Sequence, residues 1–353
     1  MIKIIKGREC VPKHIGVWPS GKAADSDSAI LSSNLSTPAK FYTKESVINM
    51  RLVTRSDFDG LVCAMILKEV NMIDEIKFVH PKDVQDGIVV LTENDITTNL
   101  PYDDSVHLCF DHHVSELSRN SDGEHSNWII DGNARSAARV VYNYYKEKYD
   151  LHRISDEMMS AVDKCDSADF NKNEILNPEG WVLMSFIMDS RTGLGRFHNF
   201  RISNYDFMMK LIDLCLEKTL DEILQDDDVK ERVELYFSHQ ENFKEQLDRI
   251  AHVDGRCLVV DLREENEIYT GNRFLVYALY PDVYFSIHIA KGEQRNITPL
   301  MIGKSILKDG VDKNIGEICL KYGGGGHKNA GTCQLSNNEV DTALPDILNY
   351  LNS

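Results

Sequence analysis

The sequence of 353 residues has few basic residues for its acidic content. It contains 39 Lys and Arg against 56 Asp and Glu, which gives a formal charge of −17. This balance argues against sequence-independent binding along an extended DNA or RNA, because such binding needs many Lys and Arg on one face. It does not exclude a short, highly charged substrate at a metal centre, since bound divalent cations dominate the local field.

Long apolar runs and paired cysteine motifs are missing as well. No segment approaches the apolar length of a membrane span, and no basic-then-apolar secretory leader opens the chain. The eight cysteines are scattered without Cys-x-x-Cys spacing, and several lie in apolar runs. This pattern predicts buried free thiols in a cytoplasmic protein.

Two segments place metal-binding residue types directly after strand-like runs. Residues 51–53 lead into Asp57-Phe58-Asp59-Gly60, which opens a helical pattern, and residues 106–110 lead into Asp111-His112-His113. Open α/β sheets bind their ligands at the carboxyl ends of the strands, where carboxylates and imidazoles together suit a metal ion. The two segments therefore predict a metal site at this edge of a sheet.

The order of strand-like and helical segments predicts two α/β domains. Residues 50–196 alternate short β-rich runs with helices, which indicates a doubly wound, mostly parallel sheet. Residues 197–252 are charged and amphipathic, typical of a helical connector, and residues 253–353 form a smaller α/β domain. The predicted strands are 51–55, 76–79, 88–91, 106–110, 274–279 and 283–290, and the predicted helices include 136–149, 155–165 and 315–322.

The first 49 residues differ from the rest of the chain. They are rich in Ser, Ala and Asn and show no sustained hydrophobic period. We expect a disordered or misassigned leader, with the functional protein beginning at Met50.

A run of four glycines, followed by His327 and Lys328, stands near the C-terminus. One glycine after Tyr322 would cap a helix, but four in succession cost backbone entropy that capping does not explain. Glycines allow a close backbone approach in which N–H groups surround an anion. The run therefore predicts binding of a substrate phosphate or nucleotide.

These three motifs, in this order across residues 50–335, resemble the DHH phosphoesterases, and most closely the subgroup with a C-terminal DHHA1 domain. That subgroup includes oligoribonucleases that also dephosphorylate pAp and proteins labelled exopolyphosphatase-related. The resemblance implies a metal-dependent phosphoric ester hydrolase that acts on short oligonucleotides or pAp through metal-activated water. An exopolyphosphatase and a non-catalytic nucleotide sensor are the alternatives. Long duplex nucleic acid and membranes are not expected partners, and a homodimer is left open.

The resemblance also implies roles for single residues. His113 and Arg55 would stabilise charge on the substrate phosphate, and Asp111 would orient an imidazole. Asp95 would bridge two Mn²⁺ or Mg²⁺ ions. The full set of metal ligands would be Asp57, Asp59, Asp95, His112 and Asp166. The substrate would be held by Gly324, Gly325, Gly326, His327 and Lys328.

Several of these assignments have competitors in the sequence. Glu93 competes with Asp95, and Asp163 and Asp169 compete with Asp166. Many family members place a His four residues before the first Asp of the Asp-x-Asp motif, where this chain has Val53. The first metal site therefore lacks an imidazole unless His80 or a water replaces it, which leaves its occupancy open. Arg55 either meets a substrate phosphate or pairs with a carboxylate.

Overall fold

The computed structural model describes residues 49–113, 116, 120, 125–292 and 296–353. The predicted leader at residues 1–49 lies outside the described residues, apart from residue 49, so its nature stays a prediction. Among the described residues, no helix is both long and apolar enough to cross a membrane.

The first domain is built on a parallel sheet. Its five strands lie in the order β2-β1-β3-β4-β5 and every neighbouring pair is parallel. The strands are β1 (Arg51–Thr54), β2 (Glu75–Phe78), β3 (Asp95–Thr98), β4 (Leu108–Asp111) and β5 (Trp128–Ile130). The helices of this domain are α1 (Phe58–Glu69), α2 (Pro81–Gln85), α3 (Ala137–Tyr145), α4 (Asp156–Asp166), α5 (Lys172–Leu176) and α6 (Gly180–Met188).

Helix α1 is the centre of the first core. Its first ten residues are all buried, and it packs against α3, α4 and the first connector helix. A helix covered on all sides has apolar residues around its whole circumference rather than on one face. This burial fixes the first turn of α1, which carries part of the Asp-x-Asp motif.

Four helices connect the two sheets: α7 (Asn204–Glu217), α8 (Leu220–Leu224), α9 (Asp227–Ser238) and α10 (Gln240–Ile250). Arg232 of α9 is buried, with its guanidinium carbon 4.3 and 3.9 Å from the ring centroids of Phe200 and Phe207. These contacts hold α9 against the start of α7, since a desolvated cation over an aromatic face is a favourable contact.

The second domain has a mixed six-stranded sheet in the order β10-β11-β9-β8-β7-β6, in which β7 and β8 alone are parallel. Its strands are β6 (Ala251–Asp254), β7 (Cys257–Asp261), β8 (Phe285–Ile289), β9 (Ile297–Lys304), β10 (Gly325–His327) and β11 (Ala330–Ser336). Its helices are α11 (Leu275–Leu279), α12 (Ile315–Lys321) and α13 (Asn337–Asn352).

The two faces of this second sheet belong to different cores. Val259 and Ile287 lie in a separate core beneath α12 and α13. Leu258 and Val260 lie in the large core of the first domain, together with the residues of α11. Alternate side chains of a strand point to opposite faces, so the second sheet is attached to the first domain through one face.

Two predicted strands are wrong. Residues 88–91 form no strand, and Ile88 and Val90 are 70% and 73% exposed, so this apolar run is not part of a core. The third strand is instead β3, which is buried along its whole length. Residues 275–279 form helix α11 rather than a strand, because periodicity cannot distinguish a short, buried apolar run in a strand from one in a helix.

Candidate metal centre

The candidate site lies at the carboxyl ends of the parallel strands of the first sheet. Strand β1 leads into Asp57 and Asp59, β3 is followed by Asn99, and β4 ends at Asp111 and is followed by His112. Strands β1, β3 and β4 are neighbours in the sheet. Their ends therefore meet at one edge, as in other open α/β sheets.

Asp59 is the buried centre of this group. Its Oδ2 accepts hydrogen bonds from Asn99 Nδ2 at 2.8 Å and from the backbone N–H of Ala137 at 3.1 Å. Its Oδ1 accepts from the backbone N–H of Ala138 at 2.7 Å. The two amides open helix α3, where free N–H groups and the helix dipole favour an anion. These contacts fix the orientation of the carboxylate.

The electrostatic setting of Asp59 is unfavourable without a cation. Burial, followed by the charges of Asp166 and Asp57, raises the pKa of Asp59 well above its ordinary value. Closely spaced carboxylates of this kind attract divalent ions, because one such ion neutralises two negative charges. The three carboxylates repel one another, and a bound metal ion would remove this repulsion.

His112 and Asp166 complete a group of three ligands with Asp59. One ligand atom of each lies within 4.8 Å of those of the other two. His112 Nε2 is 3.2 Å from Asp166 Oδ2, and its Nδ1 is 3.3 Å from the carbonyl oxygen of Ala134. The carbonyl fixes the ring and leaves Nε2 as the atom that points to the carboxylates.

The charges of this pair stabilise each other. Burial lowers the pKa of His112, but the hydrogen bond and charge of Asp166 outweigh it and raise the pKa to about 9. Burial raises the pKa of Asp166, but His112 and then Arg55 outweigh it and lower the pKa. This oxygen and nitrogen set suits ions such as Mg²⁺ and Mn²⁺, with the imidazole favouring the latter. The Asp and His cluster is a divalent-metal site.

The structure brings Asp166, but not its two competitors, to this cluster. Asp163 accepts hydrogen bonds from Ser136 Oγ at 2.7 Å and from Arg139 at 2.9 and 2.6 Å. Asp169 accepts one from Arg135 at 2.7 Å. Both carboxylates are engaged by arginines of the chain.

Asp111 and His113 lie beside the group of Asp59, His112 and Asp166. Asp111 Oδ1 is 2.8 Å from His113 Nδ1 and also accepts the backbone N–H of His112 at 2.8 Å. Asp111 is buried and His113 is partly exposed. The carboxylate thus holds the His113 ring at the mouth of the site.

Asp95 does not lie at this edge, which corrects its predicted role as a bridging ligand. It begins β3, at the amino ends of the strands, and pairs with Arg51 in the strand register. Arg51 contacts its two carboxylate oxygens at 2.6 and 2.9 Å, and the backbone N–H of Thr92 donates at 2.7 Å. The prediction failed because it placed the strand before Asp95 rather than after it. Glu93, the alternative, is exposed at the same end.

Asp57 lies beside the cluster but belongs to neither group of three ligands found among the described residues. Its Oδ1 accepts the backbone N–H of Gly60 at 3.0 Å and so caps α1. Its Oδ2 is 3.1 Å from Arg55 Nε. His80, the possible substitute imidazole, is exposed and caps α2 through the N–H of Lys82.

The second domain reaches the site through its glycine-rich hairpin. The ring of His327 stacks on that of His113, with centroids 5.2 Å apart and planes 21° apart. Strand β10, which ends at His327, pairs with β11. Lys328 is directed elsewhere, since its Nζ lies 2.7 Å from Asp312 and both are exposed.

The structure explains why glycine is needed at some positions of this hairpin but not at others. A Cβ on Gly324 would lie 2.2 Å from the carbonyl oxygen of Thr332, and one on Gly326 would lie 2.3 Å from that of Ala330. Both are therefore required by the packing of the hairpin. A Cβ on Gly325 would meet nothing within 4 Å, so nothing around it in the fold explains this glycine.

Two arginines that border the cluster have no signal in the sequence. Arg191 and Arg273 line one cavity with Asp59 and Asp166. Arg191 Nε donates to Asp189 at 2.7 and 3.0 Å. Neither arginine lies in a motif, and they are 82 positions apart in the chain, so only the fold brings them together.

Among the described residues, Arg273 forms no ion pair, although the carboxylates of Asp189 and Asp166 are near enough to raise its pKa. Burial, and then the charge of Arg191, outweigh them and lower the pKa of Arg273 to about 10. Its Nε is buried, and no acceptor among the described residues contacts it. A buried donor without a partner is uncommon in proteins and is most often explained by a ligand or water.

Comparison with known proteins identifies the family. No family model matches the chain, and no curated protein matches it. Among solved structures, the chain is similar to the pGpG-specific phosphodiesterase PggH of Vibrio cholerae. The two share 51% identity over 86% of this chain and 99% of PggH, with a TM-score of 0.71. The chain belongs to the DHH/DHHA1 phosphoesterase family.

More distant structures are also similar. The Mn²⁺ complex of RecJ from Thermus thermophilus shares 12% identity over 86% of this chain and 52% of RecJ, with a TM-score of 0.49. An uncharacterised protein from Helicobacter pylori G27 shares 14% identity over 86% and 99%, with a TM-score of 0.31. As a DHH/DHHA1 protein, the chain is a phosphoric ester hydrolase with a parallel-sheet domain, a helical connector and a mixed-sheet domain.

Proposed function

We propose that this DHH/DHHA1 protein hydrolyses pGpG, a linear dinucleotide with a 5′-phosphate, to two molecules of GMP. The observation that carries the proposal is the 51% identity over nearly the full length of a pGpG-specific phosphodiesterase. Water is added across the single internucleotide bond, the phosphorus–O3′ bond breaks, and the leaving 3′-oxygen takes a proton.

The metal cluster supports this chemistry. A bound Mn²⁺ or Mg²⁺ ion supplies an activated water and neutralises charge on the phosphate. Asp59, His112 and Asp166 would hold it, because they present oxygen and nitrogen atoms within 4.8 Å of one another. Asp111 would keep the His113 ring in place through the contact at 2.8 Å.

The residues around the cluster fit a phosphodiester. His113 and His327 come from different domains and meet by stacking, so a phosphate bound between the metal and the hairpin would contact both. Gly325 would allow the hairpin backbone to approach that phosphate, since the space around it is open. Donors that are already in position when charge develops lower the barrier, because they need no reorganisation.

Arg191 and Arg273 support a second phosphate position in the same cavity. Asp189 fixes Arg191, while Arg273 offers a buried N–H without an acceptor among the described residues. Guanidinium groups are suited to phosphate because their donors match its oxygens. One phosphate at the metal and another at these arginines would select a short substrate with a terminal 5′-phosphate.

The test is a comparison of initial rates on pGpG, GpG, pAp, a pentanucleotide and polyphosphate, each with Mn²⁺. We expect GMP from pGpG at the highest rate. Removal of the 5′-phosphate should lower kcat/KM about tenfold or more, the value of a hydrogen bond to a charged group. Faster cleavage of polyphosphate would favour an exopolyphosphatase. Binding of pGpG without turnover of any substrate would indicate a nucleotide sensor.

We also propose a cytoplasmic location. The seven cysteines in the described part of the chain are free thiols, and six of them are buried. Free thiols persist in a reducing compartment. A homodimer stays a prediction that the size of the protein in solution would test.

A further inference from the structure

The two possible metal-binding groups at the site share one histidine. Within the described ranges, the sets of three close ligand atoms are Asp59–His112–Asp166 and Asp111–His112–His113. His112 Nδ1 lies 3.3 Å from a backbone carbonyl, which leaves Nε2 as its ligand atom. One imidazole nitrogen binds one ion, so the two groups cannot both be filled.

Strand β3 is followed, at the edge of the sheet where the ligands lie, by an amide side chain rather than a carboxylate. Asn99 is 3% exposed, and its Nδ2 donates to Asp59 Oδ2 at 2.8 Å. Its Oδ1 is buried and has no hydrogen-bond partner among the residues described. A neutral amide brings no negative charge to share between two cations. A single cation beside Asp59 would nevertheless provide the positive partner that this oxygen lacks.

A positively charged side chain, the guanidinium of Arg55, lies beside Asp57. The two oxygens of this carboxylate are engaged by the N–H of Gly60 and by Arg55 Nε, the latter at 3.1 Å. No imidazole approaches from β1, because the upstream position is Val53, which is fully buried in the strand. A metal ion at Asp57 would have to displace the guanidinium and would meet few other ligands.

We infer that the site holds one divalent ion, between Asp59, His112 and Asp166, and that Arg55 supplies a second, fixed positive charge beside Asp57. Asn99 is a positioning residue that orients Asp59. This inference rests on the metal dependence in the proposed function and replaces the two ions that the family resemblance implied. The Arg55 charge is covalently part of the chain, so it does not vary with the metal concentration.

Counting the bound ions tests the inference without any substrate. The full chain is dialysed against increasing Mn²⁺, and bound manganese is measured by elemental analysis and by electron paramagnetic resonance. We expect saturation at one ion per chain with the spectrum of isolated Mn²⁺. Two ions per chain, or the spectrum of a spin-coupled pair, would overturn the inference.

Two matched variants locate the ion. His112→Ala should lose most of the bound manganese. Asp57→Asn should keep one ion per chain and remain folded, because Asn is also a good helix N-cap. Loss of the ion in Asp57→Asn, or its retention at wild-type affinity in His112→Ala, would contradict the assignment.

A gain of metal tests what excludes the second ion. The double variant Asn99→Asp/Arg55→His adds a carboxylate and an imidazole and removes the fixed charge, so we expect a second ion to bind. A count that stays at one would show that these two residues do not exclude it. For the wild-type chain, turnover of pGpG with two ions bound would refute the inference alone, whereas one ion bound without turnover would refute the proposed function alone.

Discussion

The two ends of the parallel sheet carry buried aspartates in opposite electrostatic settings. Asp95, at the amino ends of the strands, is 1% exposed and pairs with Arg51. Asp59, at the carboxyl ends, is 2% exposed, accepts hydrogen bonds from neutral N–H groups among the described residues and lies near Asp57, Asp166 and His112. Since a buried charge is costly without a partner, the charge of Asp95 is neutralised by Arg51, whereas that of Asp59 is placed to bind a metal ion.

This contrast shows why an aspartate beside a strand is not by itself a metal ligand. What distinguishes Asp59 from Asp95 is the charge of its surroundings and the strand end on which it lies. Replacing each of these carboxylates by its amide should therefore change the protein in different ways.

The largest effect is expected for Asp59→Asn. The amide has the same shape but removes the negative charge that holds the cation, so metal binding and hydrolysis should fall together. Because metal ions supply several kcal/mol of transition-state stabilisation, we expect a loss of about a thousandfold in kcat. Bound manganese and the initial rate on pGpG measure both. Wild-type metal content with a wild-type rate would remove Asp59 from the metal site.

Part of this contrast could be predicted from the sequence. The alternation of strands and helices was enough to predict the parallel sheet, and the Asp-His-His motif at the end of β4 indicated the edge of the sheet at which the metal site lies. Asp95 was misplaced because the apolar residues 88–91 suggest a strand, whereas the true strand contains the buried threonines Thr97 and Thr98. Its misplacement hid Asn99, which follows that strand directly.

Other parts of the site have no local signal. Arg191 lies in a turn after α6, and Arg273 lies just before residues 274–279, which the sequence predicts to be a strand and in which the structure shows helix α11. Arg273 becomes part of the site because helix α11, which follows it, packs in the core of the first domain. The stacking of His327 on His113 depends on the attachment of the second sheet to this core, although the glycine run indicated that a phosphate binds there.

The variants His112→Ala and His327→Ala should lose activity for different reasons, which tests the distinction between a metal-binding and a substrate-binding domain. His112→Ala leaves the cation with too few ligands, so excess Mn²⁺ should restore part of the rate. His327→Ala should lower kcat/KM about ten- to a hundredfold without rescue by Mn²⁺, since a bond to a charged group is worth about 1.5–3 kcal/mol. Rescue of His327→Ala by metal would contradict the division between the domains.

Arg273→Ala tests the second phosphate position. We expect kcat/KM for pGpG to fall about tenfold, because one bond to a charged phosphate is lost. The value for GpG, which lacks that phosphate, should change little. Arg249→Ala is the control, since this arginine is exposed and pairs with Glu265. Equal losses on both dinucleotides would show that Arg273 does not read the 5′-phosphate.

A smaller effect is expected for Gly325→Ala. The added methyl group meets no protein atom within 4 Å, so the thermal stability should stay at the wild-type value. A backbone N–H kept away from the phosphate loses about 0.5–1.5 kcal/mol, which is a two- to tenfold rise in KM. Gly324→Ala is the contrasting variant, because its Cβ would collide with the backbone at Thr332 and lower stability. An unchanged KM in a stable Gly325→Ala protein would exclude a close backbone approach at this residue.

Asp95→Asn should have the smallest effect on the reaction, although it makes the same chemical change as Asp59→Asn at the opposite end of the sheet. It weakens two contacts with Arg51, whose side chain is 24% exposed and can partly recover hydration. We therefore expect a loss of about 1–3 kcal/mol in the free energy of unfolding, measured by urea denaturation. Metal content and kcat/KM should stay at wild-type values, since Asp95 lies at the opposite strand ends. Asp86→Asn, at an exposed pair with Lys82, is the control and should cost less than about 1 kcal/mol. A loss of manganese from folded Asp95→Asn would mean that the two ends of the sheet are not independent.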